Sequence, residues 1–252
     1  MSYVGSLDWN GGSVENVGWR PLLRDRYGYF QPEHYYEAIV AQLVTPGCRW
    51  LDVGGGKAIF PNSPRLSREL ADRAGHLAGV DPNQNLKQNP FVREQFIGTI
   101  EEYLSEQPFD LATLRMVAEH ISDPDAAVQS LARLVRPGGH VVIFTPYRWS
   151  PVSIISAIIL SRWHSRVTGY FWGTKDEDVF PTCYKLNTRA ALSRYFSQNG
   201  FREVAFRHLD NCQVLQRWTL ASRAELMLWR VLHTMGLRYP ETELLAVYQR
   251  LA

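Results

Sequence analysis

Two carboxylates bracket a run of glycines. Asp52 stands two residues before Gly54, in the run Leu51-Asp52-Val53-Gly54-Gly55-Gly56-Lys57-Ala58, and Asp81 closes the next apolar run, His76–Val80. Glycines at a turn after an apolar strand let the backbone approach a ligand and present amide donors to it. A dinucleotide turn follows G-x-G-x-x-G; Gly54 and Gly56 fit, but Ile59 stands where the third glycine belongs. Asp52 would repel a pyrophosphate. A carboxylate there suits a ligand that carries an ammonium and a sulfonium charge. Asp81 can accept hydrogen bonds from ribose hydroxyls. It lies 27 residues beyond Gly54, against roughly 20 in the dinucleotide pattern, and the excess falls in Pro61–Arg68, read as a lengthened loop. Each acid alone is equally a turn residue, Asp81 preceding Pro82-Asn83 for instance. The pairing with the glycines favours a binding site.

His120 is the candidate general base, because it follows an apolar run at Phe109–Leu114 and an imidazole titrates near neutrality. The competing reading is a histidine that shapes its loop by bonding backbone. Asp176-Glu177-Asp178 has no further spaced ligands and reads as a solvated turn, so no metal is assigned. His164, His208 and His233 are isolated and read as core or surface residues. Tyr29, Tyr35 and Tyr36 are candidates for an N-terminal lid, with helix packing as the alternative.

These residues need elements to position them. Strand candidates are Cys48–Val53, His76–Val80, Arg93–Ile97, Phe109–Leu114 and His140–Thr145. A helix is expected after Gln31-Pro32, carrying Tyr35, Tyr36, Ile39, Val40 and Leu43 at helical spacing. Another is expected after Asp123-Pro124, with either Asp123 or Ser122 as cap. Its apolar face is Val128, Leu131, Leu134 and Val135, and Pro137-Gly138-Gly139 stops it. Helix Thr188–Asn199 and strand Phe201–Leu209 follow. The tail after Ser222 reads as helical, and whether a seventh strand forms is open. Strands alternating with helices imply an α/β fold: a doubly wound, mostly parallel sheet flanked by helices. The chain reads as one domain: an arm and helix at 1–45, a cofactor-binding core at 46–146, an aromatic-rich substrate cap at 147–185, and the remaining core and helical tail at 186–252. The cap follows the fifth strand. It holds the apolar face Ile154, Ile155, Ile158, Ile159 and Leu160, and supplies Tyr147, Trp149, Phe180 and Tyr184 as candidate substrate contacts.

Composition excludes several classes. With 252 residues, 45% hydrophobic and 21% charged, the chain has the make-up of a globular protein, and a net charge of +2 offers no nucleic-acid track. Cys48, Cys183 and Cys212 lack CxxC spacing and read as free thiols. No signal-like segment opens the chain, and Val152–Leu160 is too short to span a bilayer, so a cytoplasmic protein with peripheral membrane contact as an option is expected.

In order along the chain stand Leu51-Asp52-Val53-Gly54-Gly55-Gly56, Gly79-Val80-Asp81, Phe109-Asp110-Leu111-Ala112-Thr113, Glu119-His120-Ile121-Ser122-Asp123-Pro124 and Leu134-Val135-Arg136-Pro137-Gly138-Gly139. Over residues 48–146 the chain thereby resembles the class I, Rossmann-like S-adenosylmethionine-dependent methyltransferases of the small-molecule branch. That resemblance implies S-adenosyl-L-methionine as cofactor and S-adenosyl-L-homocysteine as product. It implies cofactor contacts at Asp52, Gly54, Gly55, Gly56, Asp81, Pro82, Thr99, Ile100, Arg115 and Met116. Two departures stand out: Ala58 ends the family's G-x-G-x-G turn, and Thr99 replaces its acidic adenine contact. The acceptor expected is a small metabolite, a saccharide or a lipid-linked molecule, methylated on oxygen, nitrogen or carbon. The alternatives are a catalytically silent subunit supporting a partner and, third, a nicotinamide-dependent oxidoreductase.

Overall fold

The structure is a computed structural model that describes residues 29–150, 181–212, 215 and 218–252. Chain order runs α1 (Pro32–Leu43), β1 (Arg49–Val53), α2 (Pro64–Arg73), β2 (His76–Asp81), β3 (Glu94–Ile97), β4 (Phe109–Arg115), α3 (Pro124–Leu134) and β5 (Val135–Pro146). After the break come α4 (Arg189–Gln198), β6 (Phe201–Asp210), α5 (Thr219–Thr234) and β7 (Glu241–Arg250). The seven strands form one sheet in the order β3-β2-β1-β4-β5-β7-β6. β3 through β5 pair in parallel, while β7 lies antiparallel to both β5 and β6.

Both faces of the sheet are covered, so its central strands read as near-continuous apolar runs. In β1, Leu51 and Val53 enter the cluster that includes Leu131, Leu134 and Phe196. Trp50 enters the opposite cluster, where α1 lays Tyr36, Ile39 and Val40. Asp52 shares the Trp50 face by the two-residue period of a strand. α1 begins with Pro32 in its first turn, where a missing N–H costs nothing. α3 is capped by Asp123, whose side chain accepts from the Ala126 N–H at 3.2 Å; this selects Asp123 over Ser122.

Strand order reverses at β1, which has β2 on one side and β4 on the other. A doubly wound sheet opens its ligand crevice at such a point, beyond the carboxyl ends of the strands. The glycine turn sits there.

Three expectations need correction. Pro61–Arg68 is not all loop: an irregular stretch follows the glycine turn, and α2 starts at Pro64, so Pro64–Arg68 is helical. The Ser67 hydroxyl staples that stretch by accepting from the Phe60 N–H and donating to the Ser63 carbonyl. The second concerns Val135, which is not helical. It is extended (φ −92°, ψ 130°), opens β5 opposite Phe109, and Pro137-Gly138-Gly139 lies within that strand. Finally, the tail is helical only to Thr234; Glu241–Arg250 is a strand wedged between β5 and β6. The segment Leu244–Tyr248 is buried on both faces, because Leu244, Ala246 and Tyr248 enter one core cluster and Leu245 and Val247 the other.

Candidate active site

Asp52 and Thr113 are register partners across β1 and β4, and the Thr113 hydroxyl donates to Asp52 Oδ1 at 2.8 Å. That hydroxyl in turn accepts from the indole N–H of Trp50 at 2.8 Å, which fixes the direction of its proton. Asp52 is buried, and desolvation pushes its carboxyl up to about 7; Asp81 adds to the rise, while Thr113 and Arg115 oppose it. Tyr36 closes this chamber from α1. Its ring lies 5.5 Å from Phe144 and 5.9 Å from Phe60, and its buried hydroxyl lies beside Thr113 and Asp52. Burial and the neighbouring Asp52 charge hold that phenol well above its ordinary pKa.

The turn itself is built on glycine for two reasons. Gly54 has φ +71° and Gly56 φ +43°, the left-handed region that side chains disfavour. A Cβ on Gly54 would also lie 2.1 Å from Val117 Cγ2, in the loop after β4. Asp81 holds the turn from the other side. Its Oδ2 accepts from the Gly56 N–H at 2.9 Å and its Oδ1 from the Asn83 N–H at 2.7 Å. Asp52, Gly54, Gly55, Gly56 and Asp81 therefore lie together, and Pro82 follows Asp81 in the chain. Thr99 and Ile100 follow β3 by two and three residues; the Thr99 N–H donates to Glu102 Oε2 at 2.9 Å, and Ile100 is buried in the core.

Arg115 ends β4 on the Asp52 face and lowers the pKa of Asp52, Glu33 and Glu119. Met116 follows with φ +54°, and Tyr184 has φ +50°. They are the two non-glycine residues with positive φ among the described residues, and the sequence singled out both. Such conformations cost of order 1–3 kcal/mol and collect at functional sites.

His120 is half-buried, with Nδ1 3.1 Å from the carbonyl oxygen of Pro181. A carbonyl only accepts, so Nδ1 carries the proton and the lone pair of the neutral ring sits on Nε2, 3.9 Å from Glu119 Oε1. Glu119 is buried, and desolvation raises its pKa. It accepts from the Thr145 hydroxyl at 2.7 Å, and its backbone carbonyl accepts from the N–H groups of Cys183 and Tyr184. Asn187 Nδ2 completes the clasp, donating to Thr145 Oγ1 and to the Pro146 carbonyl, each at 2.8 Å.

Other predicted residues lie less centrally. Tyr147 packs edge-on to His208 at 4.6 Å, while Trp149 is 59% exposed beneath the Arg148 guanidinium. Phe180, the Ile154–Leu160 face and Asp176-Glu177-Asp178 lie outside the described residues. Of the three lid tyrosines, only Tyr36 reaches the Asp52 chamber. Tyr29 is drawn away to β6 and α5: its hydroxyl accepts from the Cys212 N–H at 2.8 Å and its ring packs on Trp229 at 5.0 Å. Tyr35 lies under the Arg207 guanidinium.

Sequence reasoning missed Thr113, Glu119, Asn187, Glu33 and Glu243. Burial pushes Glu243, at the start of β7, up to about 7, with Glu33 and Asp210 adding to the rise. The missed polar residues gave one usable signal, the placement of Thr113 and Glu119 toward or beyond the carboxyl end of β4. Glu33 and Glu243 gave none.

The methyltransferase-domain family matches residues 25–205, more than two thirds of the chain, from α1 into the first half of β6, and so takes in the glycine turn, Asp52, Asp81 and His120. The chain belongs to this family. It is a class I S-adenosylmethionine-dependent methyltransferase. The ubiquinone biosynthesis O-methyltransferase of Aeromonas salmonicida is 30% identical over 179 residues, covering 64% of this chain and 71% of that protein. The one from Photorhabdus laumondii is 32% identical over 135 residues, and there the match covers 48% of this chain and 55% of the relative. Among solved structures, the YcgJ protein of Bacillus subtilis superposes with a TM-score of 0.52 at 16% identity, over 84% of this chain and 96% of that one; this shows the shared fold. Membership settles the competition between a methyl-donor site and a nicotinamide site in favour of the former. No helix among the described residues is long and apolar enough to cross a membrane.

Proposed function

We propose that this methyltransferase transfers a methyl group to an oxygen of a small hydrophobic acceptor, with His120 as the base. The observation that carries this reading is the Pro181 carbonyl on His120 Nδ1, which commits Nε2 to receive a proton beyond the end of β4. The O-methyltransferase relatives of ubiquinone biosynthesis support an oxygen acceptor and a hydrophobic one.

The residues present fit S-adenosylmethionine. The Asp52 carboxylate, the Asp81 carboxylate and the Tyr36 hydroxyl are buried polar groups beside a turn where glycines keep the backbone free of side chains. Asp52 would hold the ammonium group and Asp81 the ribose hydroxyls. Gly54, Gly55 and Gly56 would supply close backbone, and Pro82, Thr99 and Ile100 would border the adenine. Arg115 and Met116 would line the methionine arm. The cofactor supplies an electrophilic methyl carbon that is already activated. What remains for the protein is alignment, exclusion of water and removal of the acceptor proton.

His120 Nε2 would take the proton of the acceptor hydroxyl as its oxygen attacks. The Pro181 carbonyl orients the ring and stabilises the imidazolium, which keeps the Nδ1 proton. Glu119 acts through the loops it joins, tethering Cys183 and Tyr184 so that Pro181 stays over His120. Tyr147 and Tyr184 would border the acceptor, with Trp149 and Phe180 further candidates from the cap.

The experiment uses methyl-labelled S-adenosylmethionine, wild type and His120→Ala, with phenolic, amine and saccharide acceptors, followed by partition into organic solvent. Label on a phenol, lost by about 100-fold or more in His120→Ala while S-adenosylhomocysteine affinity is kept, is the expected result. Transfer to amines alone, or full activity without His120, overturns it.

A further inference from the structure

We propose that α5 seats the enzyme on an anionic membrane surface. Antiparallel neighbours in a sheet can be joined by two residues. Between β6 and β7, however, the chain runs from Asn211 to Pro240, and α5 occupies its middle. The family match ends at residue 205, so neither the sheet nor the family's shared chemistry calls for this helix.

One side of α5 packs inward through Ser222, Glu225, Leu226 and Trp229. The other side is apolar and exposed. Leu220, Met227, Leu228, Val231 and Met235 are all exposed, from 52% at Val231 to 81% at Leu220. At 3.6 residues per turn these side chains fall within an arc of about 100°, a single stripe running the length of the helix. Trp218 and Leu237, both exposed, extend it at either end.

Charge selects the occupant. Arg223 and Arg230 are exposed and lie along one margin of the stripe; Arg238, beyond its end, is paired with Glu241 at 3.4 Å and adds no free charge. The one acid from Trp218 to Pro240 is Glu225. It is buried, accepting from the Leu215 N–H at 3.2 Å and the Tyr239 hydroxyl at 3.0 Å. The outward face is therefore apolar with a purely basic margin. That is the composition of a helix lying in the plane of a bilayer rich in anionic lipid. A second copy of the chain would bring like charges together with no exposed acid on α5 to offset them.

The inner side of α5 also walls a cavity of about 600 Å³ through Trp229 and His233, which extends to Tyr35, His208 and Asp210. His208 in turn touches Tyr147, beside the proposed acceptor site. Seating α5 on a bilayer would thus bring that side of the enzyme to the surface where hydrophobic acceptors dissolve. The inference stands whichever atom is methylated.

The test is co-sedimentation of the full chain with vesicles of phosphatidylcholine alone or with one third phosphatidylglycerol, using wild type, Leu228→Glu/Val231→Glu and Arg223→Glu/Arg230→Glu. These side chains are exposed, so folding is checked by melting temperature and S-adenosylhomocysteine binding, both expected to be unchanged. Wild type should bind the anionic vesicles, less so at high salt, and each double variant should bind about tenfold more weakly or worse. Equal binding by wild type and Leu228→Glu/Val231→Glu overturns the proposal, as does no binding by wild type. A dimer in light scattering that the glutamates dissolve, without vesicle binding, assigns the stripe to a second copy instead. Loss of vesicle binding leaves O-methylation untouched, and loss of O-methylation leaves the membrane result untouched.

Discussion

Gly54 of the turn after β1 and Val117 of the loop after β4 meet so closely that a Cβ on the glycine would lie 2.1 Å from the valine Cγ2. The two loops that frame the cofactor crevice are thus packed on each other, and the φ of +71° at Gly54 adds a backbone demand to the steric one.

Gly54→Ala is therefore expected to lose about 2–4 kcal/mol of stability and most of its affinity for S-adenosylhomocysteine. Gly54→Ala/Val117→Ala relieves the clash but not the left-handed backbone, so it should recover part of the stability. Denaturant midpoints and calorimetric titration read both. A double variant no better than the single one would locate the whole cost in the backbone.

Asp52 gives a pH dependence of definite sign. Its folded carboxyl titrates near 7, above the ordinary carboxylate value. The folded state thus holds a proton that the unfolded chain has released, and ligand-free stability falls as pH rises from about 4 to 7. Cofactor binding runs the other way, because an ammonium group favours ionised Asp52. Affinity for S-adenosylhomocysteine should rise by up to about tenfold per pH unit from pH 5.5 to 7 and then level off. Asp52→Asn should flatten that rise. A wild-type affinity independent of pH would remove the ammonium from Asp52.

Asp81→Ala removes the acceptors of the Gly56 and Asn83 N–H groups at once. It should weaken S-adenosylhomocysteine binding by about 100-fold and lower the melting temperature, since backbone donors are left unsatisfied. Unchanged affinity in a titration would remove the ribose from this residue.

Asn187→Ala strips the donor from Thr145 and from the Pro146 carbonyl, both at the end of β5. A loss of about 2 kcal/mol is expected. Turnover should fall while cofactor affinity stays, because the clasp between Glu119 and residues 183–184 loosens on the His120 side only. A variant that lost cofactor affinity and kept turnover would contradict this division of labour.

Local pattern alone determined the succession of the first six strands and the helices between them, the glycine turn and the two acids that bracket it. These depend on alternation, helical period and neighbouring residues, all contained in short stretches of chain. The structure chose Asp123 over Ser122 as the cap of α3 and made Thr188 the cap of α4. Tertiary structure decided what depends on distant partners. The strand at Glu241–Arg250 forms because β5 and β6 leave a gap that only a third strand fills, and nothing within ten residues announces that gap. The proton position on His120 is set by Pro181, sixty-one residues away. Tyr29 was drawn to Cys212 and Trp229, not to the cofactor crevice, by contacts nearly two hundred residues along the chain. The raised carboxyls of Asp52, Glu119 and Glu243 exist only because packing removes their water, a quantity that no residue carries by itself.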